Sequence, residues 1–272
     1  MKLAIIGSGQ CRKLKRTHLN KAFADANKDF YFHTWEHEHN PHWDKLQKFF
    51  PDATIEIEKY EDHFDKYKQY RNITSDKLRY EFAQFYTVLK SFKLVEGEYD
   101  YYFRTRTDIG YQSDILNFFT EDHKQYKDLR RWTWHAIKQT TDQETWRQLV
   151  PDNLESLLIN QDELDNRVME LKPIVWSPLR MVDPMHGASF DDFSWTMNNK
   201  AFSILKNLDI EYVIRKAMDI KIDSEFSIQS PLIWSKIMQE EGIYIITAPI
   251  SGNISRLRAE EQDLIPFYGD KN

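Results

Sequence analysis

The sequence predicts an α/β fold in which a mostly parallel central sheet is flanked by helices. Short apolar segments alternate with helical segments over the amino-terminal quarter of the chain, which is the pattern of successive strand–helix–strand units. The first apolar segment, Leu3–Ile6, runs directly into the glycine-rich turn Gly7–Gly9. Open α/β sheets hold ligands at such turns, and their crossover connections are right-handed.

The amino-terminal elements follow from hydrophobic patterning. After the strand Leu3–Ile6, a helix is predicted over 17–26 and a second strand over Asp29–Trp35. A short helix is predicted over Trp43–Phe50, followed by an alternating third strand over Ala53–Ile57.

A long amphipathic helix is predicted to begin near Thr74 or Ser75, either of which can cap its first turn, and to end before Gly97. Arg79 and Lys90 lie off its apolar stripe, on a solvated face or within reach of a ligand beside the next strand. The stripe repeats at helical spacing through Leu78, Phe82, Phe85, Leu89 and Phe92.

The carboxyl-terminal half is predicted less completely. Residues 114–171 are charged and rich in Gln, Asp and Trp, and they are predicted to contain two helices and a strand near Arg131–Ile137. Lys172–Val182 is predicted to be extended, 199–218 and 226–241 to be helical, and Ile243–Thr247 to be a strand. Since repeats and flexible linkers are absent from the sequence, we expect a single domain over 1–272.

Composition excludes several classes of protein. The 272 residues carry a formal net charge of −6, which argues against a general nucleic-acid binder. A single cysteine, Cys11, rules out an intramolecular disulfide framework. Because the sequence shows neither a membrane-spanning apolar stretch nor a signal-peptide core, we expect a cytoplasmic protein without a membrane span.

The most informative segment follows the aromatic run Tyr99–Phe103. There Arg104, Arg106 and Asp108 alternate along a predicted strand and would share one face, about 6.5–7 Å apart. Two guanidinium groups and a carboxylate are costly to bury without partners. A phosphate-bearing ligand with a divalent metal would satisfy all three, whereas the alternative is an internal ion pair that fixes a loop.

The loop Gly7–Arg12 is a candidate nucleotide-binding loop, because glycines allow close approach of a phosphate and Arg12 adds positive charge. Its pattern is neither the dinucleotide fingerprint nor the phosphate loop of nucleotide triphosphatases. A tight turn without a ligand is the alternative.

Two other clusters contain groups suited to chemistry. Four histidines, His33, His37, His39 and His42, surround two glutamates; they resemble a zinc-binding set, but the spacing and Pro41 favour histidines in a surface loop. The adjacent carboxylates Asp191 and Asp192 lie among aromatic residues before a helix, where they could bind hydroxyl groups, act as a base or begin the helix.

The order of these motifs resembles a group of putative glycosyltransferases found in bacterial polysaccharide and lipopolysaccharide loci and in large DNA viruses and phages. The matching pieces are Gly7–Arg12, His33–Trp35 and Tyr99–Ile109, with a fainter match over Asp191–Phe202 and over Ser224–Trp234. The resemblance implies a Rossmann-like GT-A fold, with 1–112 binding the nucleotide sugar and 113–272 forming the acceptor side.

The resemblance also implies roles for individual residues. Asp108 would bind Mn²⁺ or Mg²⁺, although Arg106 replaces the first acidic residue of the family's Asp-x-Asp motif. Asp191 or Asp192 would act on the acceptor. The residues expected at the nucleotide sugar are Gly7, Ser8, Gly9, Arg12, Arg79, Lys90, Arg104 and Arg106.

The sequence thus predicts a hexosyltransferase-like enzyme that moves a sugar from a nucleoside diphosphate sugar to a glycan or other hydroxyl acceptor. A non-catalytic nucleotide-sugar or glycan-binding module on the same fold is the alternative. A sulfo- or phosphotransferase that uses Arg12 and Arg104 is a third, although the chain lacks a recognisable phosphate loop.

Overall fold

The structure is a computed structural model, and it describes residues 2–11, 19, 23, 26–38, 40, 42–60, 63, 76–107, 110–111, 172–177, 179–183, 187–190, 194–219, 230–247 and 254–255. Its strands are β1 (Lys2–Ser8), β2 (Asn27–Glu36), β3 (Thr54–Lys59), β4 (Tyr101–Arg106), β5 (Gly110–Tyr111), β6 (Ile174–Ser177), β7 (Leu179–Asp183), β8 (Gly187–Phe190), β9 (Ser194–Met197), β10 (Tyr244–Thr247) and β11 (Ile254–Ser255). Its helices are α1 (Leu46–Phe49), α2 (Asp76–Lys93), α3 (Asn199–Lys206), α4 (Ile210–Asp219) and α5 (Ser230–Glu240).

A seven-stranded sheet with the order β10-β6-β9-β4-β1-β2-β3 organises the described part of the chain. β1 lies parallel to both β2 and β4, β2 is parallel to β3, and β10 is parallel to β6. Only β9 within this sheet runs antiparallel to its neighbours, β4 and β6. The predicted fold class, a mostly parallel sheet flanked by helices, is confirmed.

One face of the sheet is covered by helices. The predicted apolar stripe of α2 is confirmed for Phe85, Leu89 and Phe92, which are buried on the side of the helix that packs on the sheet. The side chains of Leu78 and Phe82 are not among those described. Tyr102 of β4 stacks on Phe202 of α3, with ring centroids 3.8 Å apart and an interplanar angle of 9°. Each such buried side chain contributes about 1.5–3 kcal/mol to folding.

The opposite face of the sheet is packed by aromatic residues. Phe23 contacts Phe103 of β4 at a centroid distance of 5.5 Å, and Phe50 contacts Phe32 of β2 at 4.6 Å. The helix predicted over 17–26, which contains Phe23, lies for the most part outside the described residues. The elements predicted within 114–171 lie wholly outside them.

The segment predicted to be helical over 199–218 contains two separate helices, α3 and α4. Asn207 donates from Nδ2 to the carbonyl of Ser203 at 2.9 Å and closes the end of α3. Asp209 then accepts from the backbone N–H of Glu211 at 3.1 Å, in the manner of a helix cap. Short polar side chains that bond to nearby backbone compete with a continuous helix, and here they interrupt one.

Three further segments differ in detail from the prediction. The short helix predicted over Trp43–Phe50 begins with a 3₁₀ turn, Trp43–Lys45, before α1. The extended segment predicted over Lys172–Val182 contains two strands, β6 and β7, which belong to different sheets. The segment His186–Trp195, predicted only to precede a helix, contains β8 and the start of β9.

Both predicted halves of the chain contribute strands to the seven-stranded sheet. The single domain and the division of roles between 1–112 and 113–272 stay predictions. Among the described residues, no helix combines the length and the apolar character that a membrane span requires.

Candidate functional site

The sheet changes its direction of growth at β1. From β1 the chain adds β2 and β3 on one side and then places β4 on the other side. Loops diverge at the carboxyl ends of strands at such a point, and open α/β sheets bind ligands in the resulting crevice. Ser8 and Arg106 are register partners at the ends of β1 and β4, so this crevice is bordered by the glycine loop and by the end of β4.

The two glycines of the loop are required for different reasons. A Cβ atom at Gly7 would clash with two carbons of the Phe32 ring, so only glycine fits beside this ring without a shift. Gly9 has a φ of 102°, a backbone conformation that other residues rarely adopt, and a Cβ there would stand in open space. The chain therefore turns sharply at Gly9 and leaves room above the turn.

Side chains fix the loop at three successive residues, and they come from β2, from the residue after β4 and from the histidine-rich loop. Thr34 donates to the carbonyl of Gly9 at 2.7 Å, and Thr107 donates to the carbonyl of Gln10 at 2.6 Å. These are neutral hydrogen bonds made by buried hydroxyl groups. These bonds fix the loop conformation without a ligand, so the loop is preorganised for binding one.

Asn40 completes this arrangement and links it to the histidine-rich loop. Its Oδ1 accepts from the backbone N–H of Cys11 at 2.6 Å, and its Nδ2 donates to Thr34 Oγ1 at 2.9 Å and to the carbonyl of Trp35. Asn40 is almost fully buried. Sequence reasoning missed both Asn40 and Thr107, because no local pattern marks a side chain that bonds to a distant loop.

Arg104 is the most deeply placed charged group at this end of the sheet. Only 1% of the residue is exposed, and its Nη2 donates to Ser8 Oγ at 3.3 Å. Its guanidinium carbon lies 4.8 Å from the centroid of the Trp195 ring. Arg106, two residues further along the same strand, is partly exposed. Alternation along a strand places both arginines on one face.

The other predicted site residues are distributed as follows. Lys90 lies on α2 and forms ion pairs with Glu56 and Glu58 of β3, at 2.9 Å each. It therefore lies beside the edge strand and not at the end of β4. Arg79 falls on α2 where side chains are not described. The remaining predicted residues lie outside the described part of the chain: Arg12, Asp108, Asp191 and Asp192.

The structure thus brings together the predicted residues Gly7, Ser8, Gly9, Arg104 and Arg106. Their roles stay predictions. The charged side chains of the described β4 are guanidinium groups, and Ser8 supplies a hydroxyl beside them. This set favours an anion. A divalent cation would need a carboxylate such as Asp108, which lies outside the described residues.

The histidine-rich segment divides into two environments. His37 and His42 line a surface pocket of about 450 Å³ together with Glu36, Glu38 and Asp44. His33 was expected in a surface loop, and this expectation is wrong. It lies on β2, within the strand predicted over Asp29–Trp35, and it has no exposed area because its ring faces α2.

The ring of His33 belongs to a charged cluster between β3 and α2. Its Nδ1 lies 2.7 Å from Thr87 Oγ1, and its Nε2 lies 3.4 Å from Glu58 Oε2. Burial lowers the pKa of His33, and the nearby glutamate only partly opposes this effect. Burial alone would raise the pKa of Glu58, but the His33 imidazole and the Lys90 ammonium hold it well below its usual range.

Comparisons with known proteins give weak likenesses. No family model matches the chain, and no curated protein does. A solved structure of the galactosyltransferase LgtC, in complex with donor and acceptor sugar analogues, is 13% identical, with 90% of this chain and 73% of that chain covered and a TM-score of 0.43. Mouse xyloside xylosyltransferase 1 is 11% identical, with coverage of 90% and 84% and a TM-score of 0.39.

A nucleotide-processing enzyme shows a similar degree of likeness. The 4-diphosphocytidyl-2C-methyl-D-erythritol synthase of Anaerococcus prevotii is 9% identical, with 95% of this chain and 91% of that chain covered and a TM-score of 0.35. Identities and TM-scores this low say nothing about the activity or substrate of this chain. The case for a function therefore depends on its own residues.

Proposed function

We propose that this chain is a glycosyltransferase, which transfers a sugar from a nucleoside diphosphate sugar to a hydroxyl acceptor. One observation carries the proposal: a preorganised glycine loop and the buried guanidinium of Arg104 meet at the point where the sheet changes direction. Ser8 joins the two, since it ends β1 and accepts from Arg104. A diphosphate supplies the negative charge that such a site favours.

The arginines would act on the leaving group. In the transfer, the bond between the anomeric carbon and a diphosphate oxygen breaks, and its electron pair remains on that oxygen. Positive groups aimed at this oxygen stabilise the charge as it develops. Arg104 is held rigidly by Ser8 and Trp195, so it needs little rearrangement during the reaction. Arg106, which is partly exposed, would contact the outer phosphate.

The acceptor chemistry is assigned to residues beyond the described part of the chain. The acceptor hydroxyl oxygen forms the new bond to the anomeric carbon, and its proton passes to a base. Asp191 or Asp192 is the proposed base or acceptor ligand. Asp108 is the proposed ligand of Mn²⁺ or Mg²⁺, which when bound would add positive charge at the diphosphate. A hexose donor and a glycan acceptor are our specific proposals.

A non-catalytic module is a second candidate. The observation favouring it is that β4 ends with arginines, where catalytic sites of the resembled family have acidic residues. Arginines bind a diphosphate without requiring a metal, so a module could retain the nucleotide sugar and catalyse nothing.

Measuring donor binding and turnover on the same preparation separates these candidates. Thermal stabilisation by a panel of nucleotides and nucleotide sugars detects binding, because a ligand of the native state raises its melting temperature. Transfer to hydroxyl acceptors and hydrolysis of the donor are then followed with Mn²⁺, with Mg²⁺ and with a chelator. Stabilisation with turnover supports the transferase, and stabilisation without turnover supports the module. No stabilisation by any diphosphate nucleotide would refute both.

Two variants test where the diphosphate binds: Arg104→Lys changes the proposed site, and Arg215→Lys is its control. Arg215 lies on the exposed side of α4, where its Nε donates to the carbonyl of Glu211. Loss of donor stabilisation in the first variant and its retention in the second would place the diphosphate at the end of β4. Equal behaviour of the two variants would place it elsewhere.

A further inference from the structure

A second group of chemically active side chains begins next to the proposed donor crevice, since His33 is the register partner of Ser8 on the adjacent strand β2. His33 of β2 and two glutamates of β3 face α2, where Lys90 lies. One donor atom from each of His33, Glu56 and Glu58 lies within 4.8 Å of the others. This cluster does not depend on the proposed glycosyltransferase activity.

The ring of His33 is held in the manner of a metal ligand. It is fully buried, and Thr87 on α2 contacts its Nδ1 at 2.7 Å, which fixes the orientation of the ring. Histidines that bind metals commonly engage their second ring nitrogen in this way.

Two buried polar atoms face each other in this cluster. His33 Nε2 and Glu58 Oε2 lie 3.4 Å apart, and Glu58 Oε2 also lies 3.1 Å from His63 Nε2. The tautomer that donates from Nδ1 to Thr87 leaves a lone pair on Nε2, directed at the carboxylate. Two acceptors in this arrangement are unfavourable unless a cation or a proton lies between them.

We propose that His33, Glu56 and Glu58 bind a divalent transition-metal ion of the zinc type at the edge of the sheet. Two donors that share a zinc ion with bonds of about 2.0–2.2 Å lie about 3–3.5 Å apart, which includes the separation of His33 Nε2 and Glu58 Oε2. One imidazole and two carboxylates suit Zn²⁺ better than Mg²⁺ or Ca²⁺, which prefer oxygen donors alone.

The ammonium of Lys90 contacts the same two carboxylates that would bind the proposed ion. It contacts Oε1 of Glu56 and Oε1 of Glu58, whereas Oε2 of Glu58 faces His33. The Oε2 side of Glu58 also contacts His63 Nε2 at 3.1 Å, so a second imidazole lies close to the ion. Lys90 and Glu56 are partly exposed, which gives the ion a route from solvent.

Titration of the full chain with Zn²⁺ alone, after treatment with a chelator and dialysis, tests the proposal. We expect stoichiometric binding with micromolar or tighter affinity, weakened by at least about tenfold in Glu58→Gln and in Glu56→Gln. The matched control is His42→Gln, in the surface pocket that Glu36 and Asp44 also line, and it should bind as the wild type does. Zinc binding that is lost in His42→Gln and kept in the glutamate variants would overturn the proposal, as would the absence of stoichiometric binding to the wild type.

Two further measurements cover variants that fold poorly. Lys90→Gln removes the competing ammonium and should tighten Zn²⁺ binding, so unchanged or weaker binding would locate the ion away from these carboxylates. Co²⁺ as a substitute gives visible absorption that reports its ligands. A spectrum that changes in Glu56→Gln supports the assignment, and an identical spectrum contradicts it.

Discussion

The guanidinium carbon of Arg104 lies 4.8 Å from the centroid of the Trp195 ring. The two residues are register partners on the antiparallel strands β4 and β9. The face of an indole attracts a cation, and this attraction is strongest where water is excluded. The antiparallel strand β9 thus places an aromatic ring against the guanidinium of Arg104. The parallel strand β1, on the other side of β4, contacts the same guanidinium through Ser8.

Replacement of Arg104 by lysine should reduce sugar transfer. Lysine keeps the charge but loses the planar group that lies over Trp195 and donates to Ser8. We expect kcat/KM to fall by about 10²-fold or more, the usual effect of removing a donor aimed at developing charge. Steady-state kinetics of transfer measures the change.

The control for this prediction is Arg215→Lys, which should keep the wild-type kcat/KM. Circular dichroism establishes that both variants remain folded. A kcat/KM for Arg104→Lys within about twofold of the wild type would show that the transition state is stabilised elsewhere, because twofold corresponds to only about 0.4 kcal/mol.

Replacement of Asn40 by alanine should destabilise the glycine loop and the whole protein. The change removes the acceptor of the Cys11 N–H and the donor to Thr34, both in buried positions. A buried group left without its partner costs about 1–3 kcal/mol, so the free energy of unfolding should fall by that amount. Urea denaturation measures it.

Asn207→Ala is the matched control for this change. Asn207 is exposed and bonds only locally to Ser203 at the end of α3, so its replacement should change the free energy of unfolding by no more than about 0.5 kcal/mol. Equal effects of the two replacements would contradict the idea that Asn40 fixes the loop.

The sequence predictions succeeded for elements that local interactions determine and failed for elements that depend on contacts between distant segments. The stripe of α2 and the strands β1–β4 were predictable, because local periodicity determines which residues are buried. The antiparallel strand β9 was not, because it is four residues long and fully buried, so no alternation of apolar and polar residues marks it.

The candidate site shows the same limit. Gly7, Ser8, Gly9, Arg104 and Arg106 were predictable, since they end strands that local patterns reveal. The residues that hold the loop were missed, as was the pairing of His33 with Glu58. Those contacts join segments far apart in the chain, and only the strand order brings the segments together.

Replacement of Gly7 by alanine should destabilise the sheet through overpacking. The added Cβ would clash with the Phe32 ring, which is itself confined by Phe50 at a centroid distance of 4.6 Å. Inserting a methyl group into such a space costs about 1–3 kcal/mol, which thermal or urea unfolding measures. In a Phe32→Leu background the same change should cost less. An equal cost in both backgrounds would mean that the ring does not cause the strain.

The stability contributed by Asp29 should depend on pH. Tyr99 donates to its carboxylate at 2.7 Å and lowers the pKa of Asp29; burial opposes this shift, and Lys2 at 3.0 Å assists it. A carboxylate whose pKa is lower in the folded state stabilises the fold above its unfolded pKa of about 3.9, and the contribution is lost as the pH falls through the folded value. Asp29→Asn should therefore be less stable than the wild type at pH 7, and the difference should shrink as the pH falls below about 4.

Urea unfolding over this pH range measures the difference in stability. The control is Asp52→Asn, an exposed position in the turn before β3. A difference that stays constant or grows on acidification would show that the hydrogen bond from Tyr99 does not favour the ionised carboxylate.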